Sequence, residues 1–296
     1  MKKKMRISFS GGRTSAYMTK MLLDRCSDEY EFLVVFANTG QEHPATLEFI
    51  HQCDLNFGFN TVWIEADINP AMGQGTRWKV VDYKTACRPL DLNSPFEKAI
   101  QKYGIPNTTR PYCTRELKLR PMDKFSESLG FGPRDAVTAV GIRADEKRRV
   151  SQEQGERNLC YPLLEWWPTD KAEILEWWSK QSFDLQIPDR LGNCVWCYKK
   201  TDRKQFHNIL ETPEWYDFPE RMETEFGHVK AEQAKAGRLV FFRNYRDIPA
   251  MRAQAALCDI EHIQRLPVRP EENSGCSESC EVFPMEGEPD LGEFEG

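Results

Sequence analysis

Arg6-Ile-Ser-Phe-Ser-Gly-Gly-Arg-Thr-Ser15, continuing into Ala16-Tyr-Met-Thr-Lys-Met-Leu-Leu23, reads as a short strand, a Ser10-Gly11-Gly12-x-x-Ser15 turn and the first turn of a helix. Two adjacent glycines let backbone N–H groups approach a ligand with no Cβ in the way. The helix that follows aims its free N–H groups and the positive end of its dipole at the same spot, which suits a phosphate chain. Ser10, Gly11, Gly12, Arg13, Thr14 and Ser15 are therefore the candidate phosphate-binding residues. This is not the Gly-x-x-x-x-Gly-Lys-Ser/Thr loop, because the second glycine follows the first directly and no lysine comes after it. A plain Gly-Gly turn with a capped helix would use the same residues; the position between strand and helix favours a ligand.

Working outward, Glu31-Phe-Leu-Val-Val-Phe-Ala37 is a continuous apolar run of strand length, as a strand buried on both faces requires. It ends in the turn Asn38-Thr39-Gly40, and a helix is expected over Pro44–Cys53. Asn60–Glu65 and Asp135–Gly141 read as the third and fourth strands. Strands alternating with helical stretches predict an α/β fold with a doubly wound parallel sheet. Ligands of such sheets sit at the carboxyl ends of the strands. Here those ends run into Ser10–Ser15, Asn38–Glu42, Ala66–Asn69 and Gly141–Glu146, all polar or glycine-bearing.

Residues 70–112 are rich in Gly and Pro, with one helix near Ser94–Tyr103, and read as an insertion over the cleft. Thr169–Lys180 is a clear helix with Trp177 and Trp178 facing inward. Residues 1–190 thus form the nucleotide-binding unit. Residues 191–269 form a small cysteine-bearing C-terminal region, with a strand expected at Arg238–Phe242, and residues 270–296 an acidic, loosely ordered tail.

No apolar run approaches the ~18 residues of a membrane helix. Met1-Lys-Lys-Lys4 is not followed by an apolar stretch, so a cytoplasmic protein with no membrane partner is expected. The net charge of −6 is carried by the tail, where Glu281 to Gly296 hold six acids and no base. A generally basic nucleic-acid binder is not indicated. Basic clusters at Arg110–Lys124 and Arg143–Arg157 fit an anionic ligand held in one cleft.

Ten cysteines in a reducing compartment point to metal or redox chemistry more than to disulfides. Cys194-Val-Trp-Cys197 is a C-x-x-C, open to a redox dithiol, a zinc half-site or an iron–sulfur half-site. Its expected partner is Cys113, placed among Arg110, Arg115, Lys118 and Arg120, cations that favour a thiolate. Cys280 or Cys276 completes a four-cysteine set, with Cys160 a weaker candidate. Cys26, Cys53, Cys87 and Cys258 read as small core residues. In Gly141-Ile-Arg-Ala-Asp-Glu-Lys-Arg-Arg149, a glycine ends a strand and Arg143, Arg148 and Arg149 follow, which suits bidentate phosphate recognition.

Taken in order, these segments resemble the phosphoadenosine phosphosulfate (PAPS) reductase family of the adenine-nucleotide α-hydrolase superfamily, whose fold is Rossmann-like. The matching pieces are Ser10–Ser15, Phe36-Ala-Asn-Thr-Gly-Gln-Glu42, Cys113-Thr-x-x-Leu-Lys-x-x-Pro121, Gly141-x-Arg143-x-x-Glu146-x-x-Arg149, Tyr161-Pro-Leu-Leu-x-Trp166 and Cys194-x-x-Cys197. Similarity is greatest to phage-encoded members and to the sulfurtransferase subunit of DNA phosphorothioation systems. The resemblance implies phosphates on Ser10–Ser15, with Thr39, Gly40, Gly141 and Arg143 along the adenosine side. It also implies a [4Fe–4S] cluster on thiolates, here Cys113, Cys194, Cys197 and Cys280. Cys113 precedes Cys194 by 81 positions, as in the assimilatory reductases, but Tyr112 stands where their first cysteine would be. Their C-terminal Glu-Cys-Gly-x-His nucleophile segment is also missing, replaced by Ser274-Gly-Cys-Ser-Glu-Ser-Cys280.

Three functions follow from this reading. The first is ATP-dependent sulfur transfer: an acceptor oxygen is adenylated, pyrophosphate leaves, and sulfur delivered through the cysteines displaces AMP. Cys113 handles sulfur, Arg143 and Arg149 stabilise phosphate charge, and Mg²⁺ bridges the phosphates. The second is reduction of PAPS or adenylylsulfate with a thiol reductant. The third is a non-catalytic nucleotide-binding module stabilised by Zn²⁺ on the same cysteines. The sulfur acceptor stays open, nucleic acid among the candidates.

Overall fold

The computed structural model describes residues 1–71, 73–192, 194–234, 237–259 and 261. Its centre is a six-stranded sheet in the order β4-β3-β2-β1-β5-β6. The strands are β1 (Lys3–Ser8), β2 (Tyr30–Asn38), β3 (Val62–Asp67), β4 (Arg77–Val81), β5 (Ala136–Val140) and β6 (Leu159–Cys160). All neighbours are parallel except β3 and β4. The expected mixed α/β, doubly wound architecture is observed, with an antiparallel edge added by residues 77–81 of the segment read as a covering insertion. Arg77-Trp-Lys-Val-Val81 hides among glycines and prolines in sequence. Its charged, largely exposed side chains are those of an edge strand that discourages further pairing.

The helices are α1 (Arg13–Cys26), α2 (Pro44–Phe57), α3 (Pro95–Tyr103), α4 (Arg120–Ser128), the single turn α5 (Pro162–Glu165), α6 (Lys171–Ser179), α7 (Asp202–Glu211), α8 (Asp217–Phe226) and α9 (Ile248–Ala256). Strand β2 shows why the sheet is covered on both sides. Val34 and Phe36 enter a core with Met18 and Leu22 of α1, Leu47 and Ile50 of α2 and Trp178 of α6. Leu33, Val35 and Ala37 enter the opposite core, with Met122 and Phe125 of α4. A third core gathers α3, α7, α8 and α9 around Cys194, Trp196 and Tyr198.

Arg6 lies in β1 with its side chain 2% exposed and donates to Asp123 Oδ1 of α4 at 2.7 Å. Asp123 also meets Arg157 at 3.2 Å. The strand expected at Arg238–Phe242 does not form. Leu239 to Phe242 are buried, but the Phe241 N–H donates to Glu223 Oε1 at 2.9 Å and the Leu239 N–H to the Gly227 carbonyl at 2.8 Å. Its donors are taken by a side chain and a helix end instead of a ladder. No helix among the described residues is long and apolar enough to cross a membrane.

Candidate functional site

The chain runs outward from β1 to β2 and β3, then returns to place β5 on the other side of β1. The crevice between the carboxyl ends of β1 and β5 is the switch point at which open α/β sheets take ligands. Gly11 turns there with φ +80°, and a Cβ on it would come within 2.8 Å of both Ile50 Cδ1 and Thr46 Cγ2. The Ser10 and Ser15 hydroxyls lie 2.9 Å apart, and the Ser10 N–H donates to Ser15 Oγ at 3.3 Å. Gly12 caps α1 without a side-chain bond. From the other wall, Gly141 packs directly on the loop: a Cβ there would sit 3.1 Å from Ser15 Cα and 3.3 Å from its nitrogen.

Arg143 Nη1 donates to Thr14 Oγ1 at 3.2 Å, so a cation from the β5 end touches the β1 loop. The same guanidinium pairs with Asp145 Oδ1 at 2.9 Å and with Glu146 Oε1 at 3.3 Å. Arg149 also pairs with Glu146. Although burial pushes Asp145 upward, its bonds to Arg143 prevail and hold it below the ordinary carboxylate range. The arginines were legible in sequence, but not that their own neighbours balance them. Arg13 is engaged differently: Nε and Nη2 fork onto the Asp184 carboxylate at 2.7 and 2.9 Å, tying α1 to the segment after α6.

At the neighbouring end of β2, the buried Glu42 carboxylate organises the turn. It accepts from the Thr39 N–H and hydroxyl at 2.9 Å, and Lys118 Nζ lies 3.4 Å away. Asn38 Oδ1 accepts from the Gly40 N–H at 3.2 Å, while Asn38 Nδ2 donates to Glu65 at 2.7 Å. This turn meets the C-x-x-C. Thr39 Oγ1 lies 3.7 Å from Cys194 Sγ, Glu42 and Cys194 form an isolated antiparallel bridge, and Trp196 Nε1 donates to Gln41 Oε1 at 2.9 Å.

Cys113 comes to the same core and lies with its Sγ 3.2 Å from the Tyr198 hydroxyl. Burial, then the charge of Cys113, push the Tyr198 hydroxyl well above its ordinary value. Cys113 lies two residues before the start of a π-turn over Arg115–Leu119, a distortion that recurs at functional sites. The cations expected to activate it have other duties. Arg115 and Arg120 pair with the buried Glu116 at 3.0 and 2.9 Å, and Arg110 Nη2 donates to the Tyr103 carbonyl at 3.1 Å. Tyr112, in place of a cysteine, is buried with its hydroxyl on the Gly104 carbonyl at 2.6 Å.

Among the described residues, no three His, Cys, Asp or Glu side chains are placed to hold a metal ion. Cys113, Cys194 and Cys197 share one core, yet the described thiols alone do not make a metal cage. Cys276 and Cys280 lie outside the described residues. Burial pushes the Cys160 thiol up to about 12, and burial with Glu65 raises Cys87 to about 11, as inert core thiols require.

With this crevice in view, comparison with known proteins is decisive. Residues 4–170 match the phosphoadenosine phosphosulfate reductase domain. The chain belongs to the PAPS reductase family. It is also 32% identical over 282 residues, 94% of each chain, to a protein of Escherichia phage lambda described as an uncharacterized nin region protein, ORF290. The family match ends before Cys194, so the C-x-x-C lies beyond the matched domain while packing against the Asn38–Glu42 turn within it. Sequence reasoning missed Tyr198 and Asp184, whose partners lie far along the chain, and Glu116, which holds the neighbouring Arg115 and Arg120. Glu42 was visible as the last residue of its motif, without a role.

Proposed function

We propose that the chain is an adenine-nucleotide enzyme of sulfur chemistry, most specifically an ATP-dependent sulfur transferase. The observation that carries this reading is the meeting of the β1 loop with Gly141 and Arg143 at the switch point, beside a turn that touches Cys194. In this reading the phosphates lie on the N–H groups of Ser10–Ser15 and the start of α1, with Arg13 contributing its backbone and Arg143 its guanidinium. Thr39, Gly40 and Gly141 line the adenosine side. Mg²⁺, when bound, would supply positive charge to the phosphates.

An acceptor oxygen attacks the α-phosphorus of ATP, the bond to the β-phosphate oxygen breaks, and pyrophosphate leaves. Sulfur carried as a persulfide on Cys113 then attacks the acceptor atom and displaces AMP, which departs with its oxygen. A thiol reductant attacks the Cys113 sulfur, the S–S bond breaks, and its electron pair leaves with the transferred sulfur on the acceptor. Arg143 and Arg149 exchange Asp145 and Glu146 for phosphate oxygens as charge develops. The reductase alternative is less well supported, because the C-terminal region lacks the Glu-Cys-Gly-x-His segment of the reductases. A [4Fe–4S] cluster or Zn²⁺ on Cys113, Cys194, Cys197 and Cys280 would require the tail to supply the last thiol. Iron, sulfide and zinc analysis after anaerobic purification tests that addition.

The function is tested by calorimetry with ATP, PAPS and adenylylsulfate, followed by product assays. Heat with ATP and pyrophosphate release in the presence of an acceptor pool support transfer. Sulfite release from PAPS with a dithiol would replace it with reduction. No heat with any of the three nucleotides overturns the nucleotide reading altogether.

A further inference from the structure

The Tyr198 side chain follows the C-x-x-C directly and is 2% exposed. Its hydroxyl has one hydrogen-bond partner among the described residues, Cys113 Sγ at 3.2 Å. A buried tyrosine hydroxyl needs an acceptor. If the thiol donated to the phenol oxygen, the phenol hydrogen would be stranded without one, so the satisfied arrangement has the O–H donating to sulfur. The sulfur is half-buried, and the guanidinium groups of Arg115 and Arg120 are held by Glu116. Tyr198 is thus a neutral donor that the fold brings to Cys113 from 85 residues away.

We propose that Tyr198 is a positioning residue for Cys113, its hydroxyl fixing the sulfur as a hydrogen-bond acceptor and so holding it as a carrier of transferable sulfur. A donor of this kind favours sulfur that bears negative charge, whether thiolate or persulfide, and limits rotation about the Cα–Cβ bond. The proposal rests on the reading of Cys113 as the sulfur-handling residue. It leaves the nucleotide site untouched.

The test uses the full chain and inorganic polysulfide as probe. The Cys113 thiolate attacks a terminal sulfur of the hydropolysulfide. A Cys113 S–S bond forms, the neighbouring S–S bond of the polysulfide breaks, and its electron pair leaves with a hydropolysulfide one sulfur shorter. The reacting cysteine sulfur is oxidised and the sulfur left at the new end of the departing polysulfide is reduced, so electrons balance without another oxidant. After removal of excess probe, persulfide on the Cys113 peptide is trapped by alkylation and quantified by mass spectrometry, with the Cys258 peptide as internal reference.

Wild type should retain persulfide at Cys113, and Tyr198→Phe should retain it several-fold less, with Cys258 unchanged. Equal retention in the two proteins overturns the role of Tyr198, and no persulfide on Cys113 in wild type overturns the carrier assignment. Should the Phe variant fail to fold, site-specific 3-fluorotyrosine at 198 takes its place. It keeps the hydroxyl and makes it a stronger donor, so retention should rise, and unchanged retention counts against the proposal. Failure of the nucleotide reading appears separately, as absent heat with ATP.

Discussion

At the scale of single residues, the candidate site depends on two glycines for different reasons. Gly11 holds φ +80° against α2, so Gly11→Ala forces a side chain into a left-handed conformation and within 2.8 Å of two others. Unfolding by urea should show a loss of about 1–3 kcal/mol. Gly141 has no such burden; it is small because Ser15 backbone lies 3.1 Å from where a Cβ would be. Gly141→Ala should therefore cost less stability than Gly11→Ala while pushing on the Ser15 backbone and weakening ATP binding about tenfold, roughly 1.4 kcal/mol by calorimetry. Equal losses in stability and binding would show that Gly141 matters to the fold alone. The Ser10–Ser15 turn and Gly141 were readable as positions because a strand-to-helix turn and a close backbone approach need particular residue types at short spacing. The partner of Arg13 was not, since it finds Asp184 at a separation of 171 residues.

At the scale of elements, β1 carries a buried cation whose counter-charge comes from α4. Arg6 is sealed inside and Asp123 supplies the carboxylate, shared with Arg157. Removing one partner of a buried pair leaves an uncompensated charge, which costs more than the pair itself contributes. Asp123→Ala should destabilise the protein by about 3 kcal/mol in denaturant, discounted from the upper range because Asp123 is partly exposed. The double variant Arg6→Met/Asp123→Leu should recover most of that loss; additive losses instead would mean that the pair is not coupled. In sequence, the strands with long apolar runs were evident, because burial on both faces demands them. Strand β4 was not: an edge strand has no continuous apolar requirement, and its register is set by β3. The opposite error at Arg238–Phe242 has the same root. Leu-Val-Phe-Phe is apolar because it is buried, and burial can be satisfied with the N–H groups bonded to a glutamate.

That glutamate gives the last prediction its place at the scale of the whole molecule. Glu223 of α8 accepts from the N–H groups of Phe241 and Ile248, both at 2.9 Å. It thereby joins α8, the Leu239–Phe242 segment and α9 into the core that also contains Cys194 and Trp196. Phe241 packs edge-on against Trp196 with ring centroids 4.8 Å apart, so this joint lies directly behind the C-x-x-C. Burial pushes the Glu223 carboxyl up to about 7, outweighing the two N–H groups that favour its charged form. The native protein therefore binds a proton at pH values where the unfolded chain, with its ordinary value of 4.5, has released it. Linkage fixes the sign: the stabilising contribution is full below about 4.5, falls as pH rises, and is spent above about 7. Glu223→Gln cannot ionise and lacks this slope. The stability of wild type relative to Glu223→Gln should thus decline on the order of 1–3 kcal/mol between pH 4.5 and 7.5, in urea titrations at matched ionic strength. Parallel curves across that range would mean that the carboxylate remains charged in the folded core, with its two backbone donors outweighing burial.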